Sequence, residues 1–363
     1  SKWARLSSSI ARCKTGGPRG SSTDCCGRHR TGRRCYPRSV ARARKKKDTL
    51  ERKLEALEAA LREPESAEAR AAITAALVKG ESFLAARAAS VVKEERLEGL
   101  TAELADALAR FLESGAKGDP GCHAKLALVE ALDATDAPRR ESFLAAARCV
   151  QLEASWGPPT DTAGAVRSRA VLALGRGDYL DLPLLAGELL GDPLAVVRRA
   201  ALRALASHGD RMGAGLAHLA LRHSDEDPLV TSEAMGALIT LAPDVGVPAV
   251  SALLRSPDAT LRELAVVALG ESRLPEALDA LLEAMNEVVL GSDRAIYFTA
   301  LALHKSEPAL RVLLTFFEAS RGDATKAIEA LAIRRFEPEV RERAEAAARE
   351  AGREDVFEEH FGT

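Results

Sequence analysis

Aromatic residues make up only 4% of this 363-residue chain, with two Trp and three Tyr. A β-sandwich or barrel needs Ile, Thr, Tyr and Phe in alternating runs, so the shortage argues against both. The apolar 47% is mostly Ala, Leu and Val and favours helices. No uninterrupted apolar stretch approaches the roughly 20 residues of a membrane span. The chain has no Gly-rich phosphate loop, Gly-x-Ser-x-Gly elbow, paired CxxC or metal-spaced His pair, so the nucleotide, hydrolase and metal chemistries those motifs carry have no support. The seven His are scattered; His218 and His223, five apart, fall on different faces of a helix. The expectation is a protein with no catalytic residue, no cofactor and no metal.

The net charge of −2 conceals two opposite segments. Residues 1–47 carry fifteen Lys/Arg and one acidic residue, Asp24, for +14, whereas the remaining 316 carry 36 basic and 52 acidic residues, for −16. A basic arm can bind nucleic acid through phosphate contacts and counterion release, while an acidic body is repelled by the same polyanion. A nucleic-acid reading therefore rests on residues 1–47 alone. That arm has Gly, Ser and Arg clusters and no apolar periodicity, as expected of a disordered segment. Cys25, Cys26, His29 and Cys35 are suitable zinc donors, but their spacing is not that of a zinc knuckle, which favours free thiols. The arm lacks the apolar core of a secretory signal. Its composition fits an organelle transit peptide without the amphipathic pattern. The start at Ser1 and the abrupt change at Asp48 equally fit a segment outside the native coding sequence.

From Asp48 the chain turns helical. Leu50, Leu54, Leu57 and Leu61 form an apolar stripe in a leading helix over 48–64 that Pro64 ends. A ten-residue block then recurs: Val166-Arg-Ser-Arg-Ala-Val-Leu-Ala-Leu-Gly175, Val197-Arg-Arg-Ala-Ala-Leu-Arg-Ala-Leu-Ala206, Val230-Thr-Ser-Glu-Ala-Met-Gly-Ala-Leu-Ile239 and Leu261-Arg-Glu-Leu-Ala-Val-Val-Ala-Leu-Gly270. Weaker copies lie near Leu84, Ala124, Ala295 and Asp323. Marker residues Val92, Leu132, Leu174, Leu205, Leu238, Leu269, Leu303 and Leu331 are spaced by 40, 42, 31, 33, 31, 34 and 28. A second amphipathic helix lies in each period, so each unit is a helical hairpin that cannot bury its own stripe and must stack on its neighbours. Asp192-Pro193, Asp227-Pro228 and Pro257-Asp258 punctuate the turns and supply helix caps.

The hairpin period, the Val-Arg-x-x-Ala-x-x-Ala-Leu-Gly helix and the Asp-Pro turn resemble HEAT-type repeats, in particular the bacterial HEAT-like repeats of the phycobiliprotein-lyase type. The resemblance covers residues 66–335 and is strongest over 163–272. It implies an all-α, right-handed α-solenoid of seven to eight stacked antiparallel hairpins, armadillo-like, that serves as an interaction scaffold. Residues 336–363 are expected to give a capping helix from Pro338 to Gly352, with the chain fraying from Asp355. Similar repeats in deoxyhypusine hydroxylases hold two irons on His-Glu pairs. The matching positions here are Ser232-Glu233 and Arg262-Glu263, without the imidazole. Alkylpurine DNA glycosylases of similar architecture use a cationic groove, which a body of −16 does not offer. A phycobilin lyase would have only Cys122 and Cys149 as thiols in the array, on apolar faces.

A surface remains. If the block helices line the concave side, Arg199, Arg203, Glu263 and Tyr297 point into the groove, where an Arg cluster beside a Tyr has the composition of an interaction hot spot and would select an acidic or amphipathic protein segment. The recurrent Arg167, Arg198 and Arg262 are expected to form a ladder on the preceding turns, including Asp192 and Asp258. The insertion Ser155–Thr162 projects Trp156 as a contact, or folds it back on a neighbouring hairpin. The resulting expectation is a non-enzymatic cytoplasmic scaffold without membrane contact.

Overall fold

The computed structural model describes residues 51–59, 62, 66–135, 139–288 and 291–362, and Arg52–Thr363 forms one unit. The arm over 1–47 with Cys25, Cys26, His29 and Cys35, and the stop at Pro64, lie outside the described residues. Residues 51–59 form helix α1. Eight hairpins follow among the described residues: α2 (Ala67–Lys79) with α3 (Ser82–Glu94), α4 (Thr101–Gly118) with α5 (His123–Asp133), α6 (Arg140–Ala147) with α7 (Gly164–Gly175), and α8 (Leu182–Leu190) with α9 (Ala195–His208). The second four are α10 (Ala214–His223) with α11 (Pro228–Leu241), α12 (Pro243–Ala252) with α13 (Ala259–Ser272), α14 (Pro275–Glu287) with α15 (Gly291–His304), and α16 (Glu307–Thr315) with α17 (Arg321–Leu331). Then come α18 (Pro338–Glu350) and α19 (Glu354–Phe361). The fold is an all-α solenoid.

Helix starts follow local chemistry. The Ser66 hydroxyl accepts the Ala69 amide at 3.1 Å, and the carboxylates of Asp227 and Asp258 accept amides of the first turns of α11 and α13. Pro228, Pro243, Pro275 and Pro338 each sit in a first turn, where a missing N–H leaves no acceptor idle. The odd-numbered helices pack in one layer, α3 on α5 through α15 on α17, and the even-numbered ones in another. Side chains as small as methyl line the odd layer: Ala170, Ala201, Ala234, Ala265 and Ala327 are fully buried at equivalent positions. Gly175 and Gly270 bring backbones closer still; a Cβ on Gly270 would stand 2.6 Å from the Ala300 carbonyl oxygen, and one on Gly175 would stand 2.7 Å from Ala204.

Those two contacts correct the register of one copy. Gly175 ends its block and meets the eighth residue of the next; Gly270 meets Ala300 in the same way, which starts the α15 block at Asp293 rather than Ala295. The marker is then Leu301, and the last spacings become 32 and 30. Arg294 takes the place of Arg198 and Arg262, and Tyr297 stands where the blocks of α7, α9, α11, α13 and α17 bury an alanine and that of α5 buries Leu128.

One expectation is overturned, and two local features lie outside the block pattern. The tail does not fray at Asp355: α19 buries Val356, Phe357 and Phe361 against α17 and α18, with the two phenyl rings stacked at 4.6 Å and Arg341 donating to the Phe361 carbonyl at 2.7 Å. The apolar residues at three, four and eight along this short helix supply the face that its charge content hides. The segment from Gly115 is a bend, with helix continuing to Gly118 past a Gly115 φ of 57°. The insertion before α7 forms a two-residue ribbon, β1 (Leu152–Glu153) antiparallel to β2 (Thr160–Asp161).

Replacing Gly270 by Val should overpack this seam and cost about 1–3 kcal/mol. Gly236, whose Cβ would meet open space, should accept Ala with a gain of up to about 1 kcal/mol. Urea melts of the two variants would measure both.

Candidate functional site

The ladder is built from a fixed interval. Six residues before the basic position of each block lies a turn residue: Asp119 before Lys125, Asp161 before Arg167, Asp192 before Arg198, Asp225 before Thr231, Ser256 before Arg262 and Val288 before Arg294. The basic side chain holds that turn and reaches on toward the next. Arg167, 2% exposed, meets Asp161 at 2.7 Å, grips Asp192 through two bonds of 2.8 and 3.1 Å, and donates to the Cys149 carbonyl at 2.7 Å. Arg198 binds both oxygens of Asp225 at 2.6 Å and the Asp192 carbonyl at 2.8 Å. The ladder thus runs to following turns as well as preceding ones. Asp258 is not part of it and caps α13 instead.

Lys125, like Arg294, is a member that sequence reasoning missed. It is fully buried, 2.8 Å from the Gln151 Oε1 and 3.4 Å from Asp119, whose carboxylate also accepts the Ala124 and Lys125 amides. Its six-residue interval to Asp119 was the available signal. Burial pushes Asp161 up, but the Arg167 guanidinium and the amides of Ala163 and Gln151 outweigh it, so its pKa falls below the ordinary value. Arg198 holds Asp225 low for the same reason, against a smaller burial effect.

The candidate contact residues fall into three places. Arg199, at 3.4 Å, and Arg203 both pair with Glu233 of α11, so their charge is shared within the array. Trp156 stands fully exposed at the tip of the ribbon and does not fold back. The ribbon base is firmly held: the Glu153 carboxylate accepts from the Gly121 amide, the Gln151 amide and the Thr162 hydroxyl, each at 2.7 Å. Glu263 and Tyr297 come together in the wall of a cleft of about 800 Å³ among α13, α14, α15 and α17. Arg262, Val288, Ile296, Glu329 and Ile333 also line it. Burial pushes the Tyr297 phenol up. Ile333 is half exposed at its rim.

No group of His, Cys, Asp or Glu among the described residues could hold a metal ion, and no described helix is long and apolar enough to cross a membrane. Cys122 is buried and Cys149 half-buried; burial pushes both thiols up, and a hydrogen bond with Thr162 at 3.6 Å only partly offsets it for Cys122.

Residues 214–302 match the family model for HEAT repeats, from α10 into α15. No curated protein matches the chain. The crystal structure of an engineered protein determined by the Northeast Structural Genomics Consortium is similar at 17% identity, covering 85% of this chain and 94% of that one, with a TM-score of 0.32.

Two outcomes follow from the ladder and the thiols. Arg167→Met strands the carboxylates of Asp161 and Asp192 and should cost about 3–5 kcal/mol, whereas Arg211→Met, in an exposed pair with Asp244, should leave the melt unchanged. Because Asp161 and Asp225 titrate low when folded, their contribution is complete above the unfolded value of about 3.9 and is lost as pH falls through their folded values. Arg167→Met should therefore also flatten the acid limb of a stability–pH curve. Cys122 and Cys149 should alkylate at least about tenfold more slowly in the native chain than in urea, read by peptide mass spectrometry.

Proposed function

We propose that this chain is a non-enzymatic scaffold that holds a segment of another protein; the match of residues 214–302 to the family model for HEAT repeats supports a stack whose helix faces serve as a binding surface. The observation that carries this reading is the cleft beside α13, α15 and α17. It combines exposed carboxylates on Glu263 and Glu329, the Arg262 guanidinium, the Tyr297 ring and the half-exposed Ile333 within one concavity that no other described element fills. Mixed charge around an aromatic and an aliphatic side chain suits an amphipathic partner segment.

Glu263 and Tyr297 belong to the cleft. Arg199 and Arg203, with Glu233 between them, form a second, weaker patch on α9, since a partner carboxylate there competes with one already in place. Trp156 offers a third contact, held at a fixed height by the Glu153 bonds. A chromophore-handling role like that of phycobilin lyases draws little support, since its thiol chemistry would fall to two thiols whose burial keeps them protonated. Cytoplasmic residence and a bacterial source remain part of this reading through the repeat resemblance.

A photo-crosslinking residue placed at Ile333 should trap a specific protein in the native cell. The same residue at Leu219, exposed on the even-numbered helix α10, should not. Equal trapping at both sites, or none at Ile333, would overturn the assignment.

A further inference from the structure

The ladder stops supplying carboxylates where the cleft begins. At the turn position six residues before each basic site, Asp119, Asp161, Asp192 and Asp225 give way to Ser256 and then Val288. The main-chain half of the pattern persists without change: the carbonyls of Asp192, Ser256 and Val288 accept from Arg198 at 2.8 Å, Arg262 at 2.8 Å and Arg294 at 3.2 Å. The side-chain half does not. Arg167 grips Asp192, Arg198 grips Asp225, and Arg294 finds Asp323 at 3.0 Å. By the same geometry Arg262 reaches toward Val288, which has no oxygen on its side chain.

Among the described residues no carboxylate lies within ion-pair distance of Arg262. Its hydrogen bonds to the described residues all run from one nitrogen, Nη1, to the carbonyls of Ser256 and Pro257 at 2.8 and 3.1 Å. The edge formed by Nε and Nη2, which binds a carboxylate in Arg167 and Arg198, meets no acceptor among the described residues. This partly buried cation lines the 800 Å³ cleft together with Val288.

We propose that Arg262 is an open rung of the ladder, and that an Asp carried by a partner protein segment fills it with the two-pronged grip that Asp192 gives Arg167. The inference rests on the scaffold reading and gives it a chemical specificity. The surroundings shape the rest of the segment. Glu287 is held by Arg255 at 2.7 Å, but Glu263 and Glu329 have no ion-pair partner among the described residues and flank the cleft. A run of acidic residues would be repelled there. A single Asp with a Lys or Arg beside it satisfies both signs, and an aliphatic neighbour covers Ile333. Paired, two-pronged guanidinium–carboxylate contacts of this kind are among the more directional polar interactions, so they fix register as well as charge.

The test follows the arginine Nε–Hε signals of the full chain by NMR while N-acetyl-aspartate N-methylamide is added. The Arg262 signal should move saturably with this probe and stay in place with the asparagine analogue. In Val288→Asp the chain supplies its own carboxylate, and the response should vanish; Val288→Asn should keep it. A signal that moves equally with both probes, or that still responds in a folded Val288→Asp, overturns the proposal. If Val288→Asp does not fold, the aspartate and asparagine probes on the unaltered chain decide the matter. Trapping at Ile333 with a silent Arg262 sinks the open rung alone. A responsive Arg262 with no trapping at Ile333 sinks the scaffold reading, and with it the partner assigned to the rung.

Discussion

In five of the block helices a guanidinium or ammonium group stands at one height, on Lys125, Arg167, Arg198, Arg262 and Arg294, and must find acceptors in the turns around it; the register of the stacked hairpins depends on that bridging. Apolar seams drive helices together without fixing how far one slides along another. The bonds from Arg167 to Asp161, Asp192 and the Cys149 carbonyl tie the two ends of the α6–α7 connection to the α8–α9 turn of the next hairpin. Such buried pairs add little net stability when intact, because desolvation offsets attraction, but they penalise every arrangement that leaves a charge alone. They therefore set register, while Ala and Gly set distance.

Distance matters because the odd layer is nearly free of large side chains at its closest approach. With Ala201, Ala234 and Ala265 fully buried and Gly270 against the Ala300 backbone, the helices sit where added methyl groups have no room. Tyr297 breaks this rule in α15, and the cleft lies against it. A large ring in a methyl-sized slot, two turn carboxylates replaced by Ser256 and Val288, and an arginine with an idle edge all fall within one stretch. Departures from an otherwise consistent pattern concentrate where a repeat protein does something besides stack.

Much of this was legible in the sequence. Block recurrence gave the helical hairpins, and the Asp-Pro and Pro-Asp punctuation gave the role of Asp227 and Asp258 as caps. The α15 copy was misaligned by two residues because Ala-Leu occurs at both Ala300-Leu301 and Ala302-Leu303, and only backbone contact to Gly270 distinguishes them. That slip hid Arg294 from the ladder and Tyr297 from its alanine slot. The tail was missed because Phe357 and Phe361 are diluted by acidic neighbours, so the face they make is visible only once α17 is there to receive it. Pairing of Arg199 and Arg203 with one Glu233 lies beyond periodicity, since it joins residues 34 and 30 apart on different helices. The two empty turn positions could be read from the six-residue interval, but only after structure had shown what the interval is for.

The interrupted ladder also bears on how the array comes apart. In a linear stack each unit is held only by its neighbours, so opening proceeds from whichever boundary couples two units least. Asp192 and Asp225 cross-link the hairpins of α7, α9 and α11, whereas the turns at Ser256 and Val288 supply main-chain bonds without a carboxylate, and the pairs of Arg255 with Glu283 and Glu287 at that boundary are solvent-exposed and weak. Amide protons of α13 and α15 should accordingly exchange with solvent through a smaller, separate fluctuation than those of α7 and α9, giving one polypeptide two cooperative blocks. A ligand that bridged this fault line would fuse them.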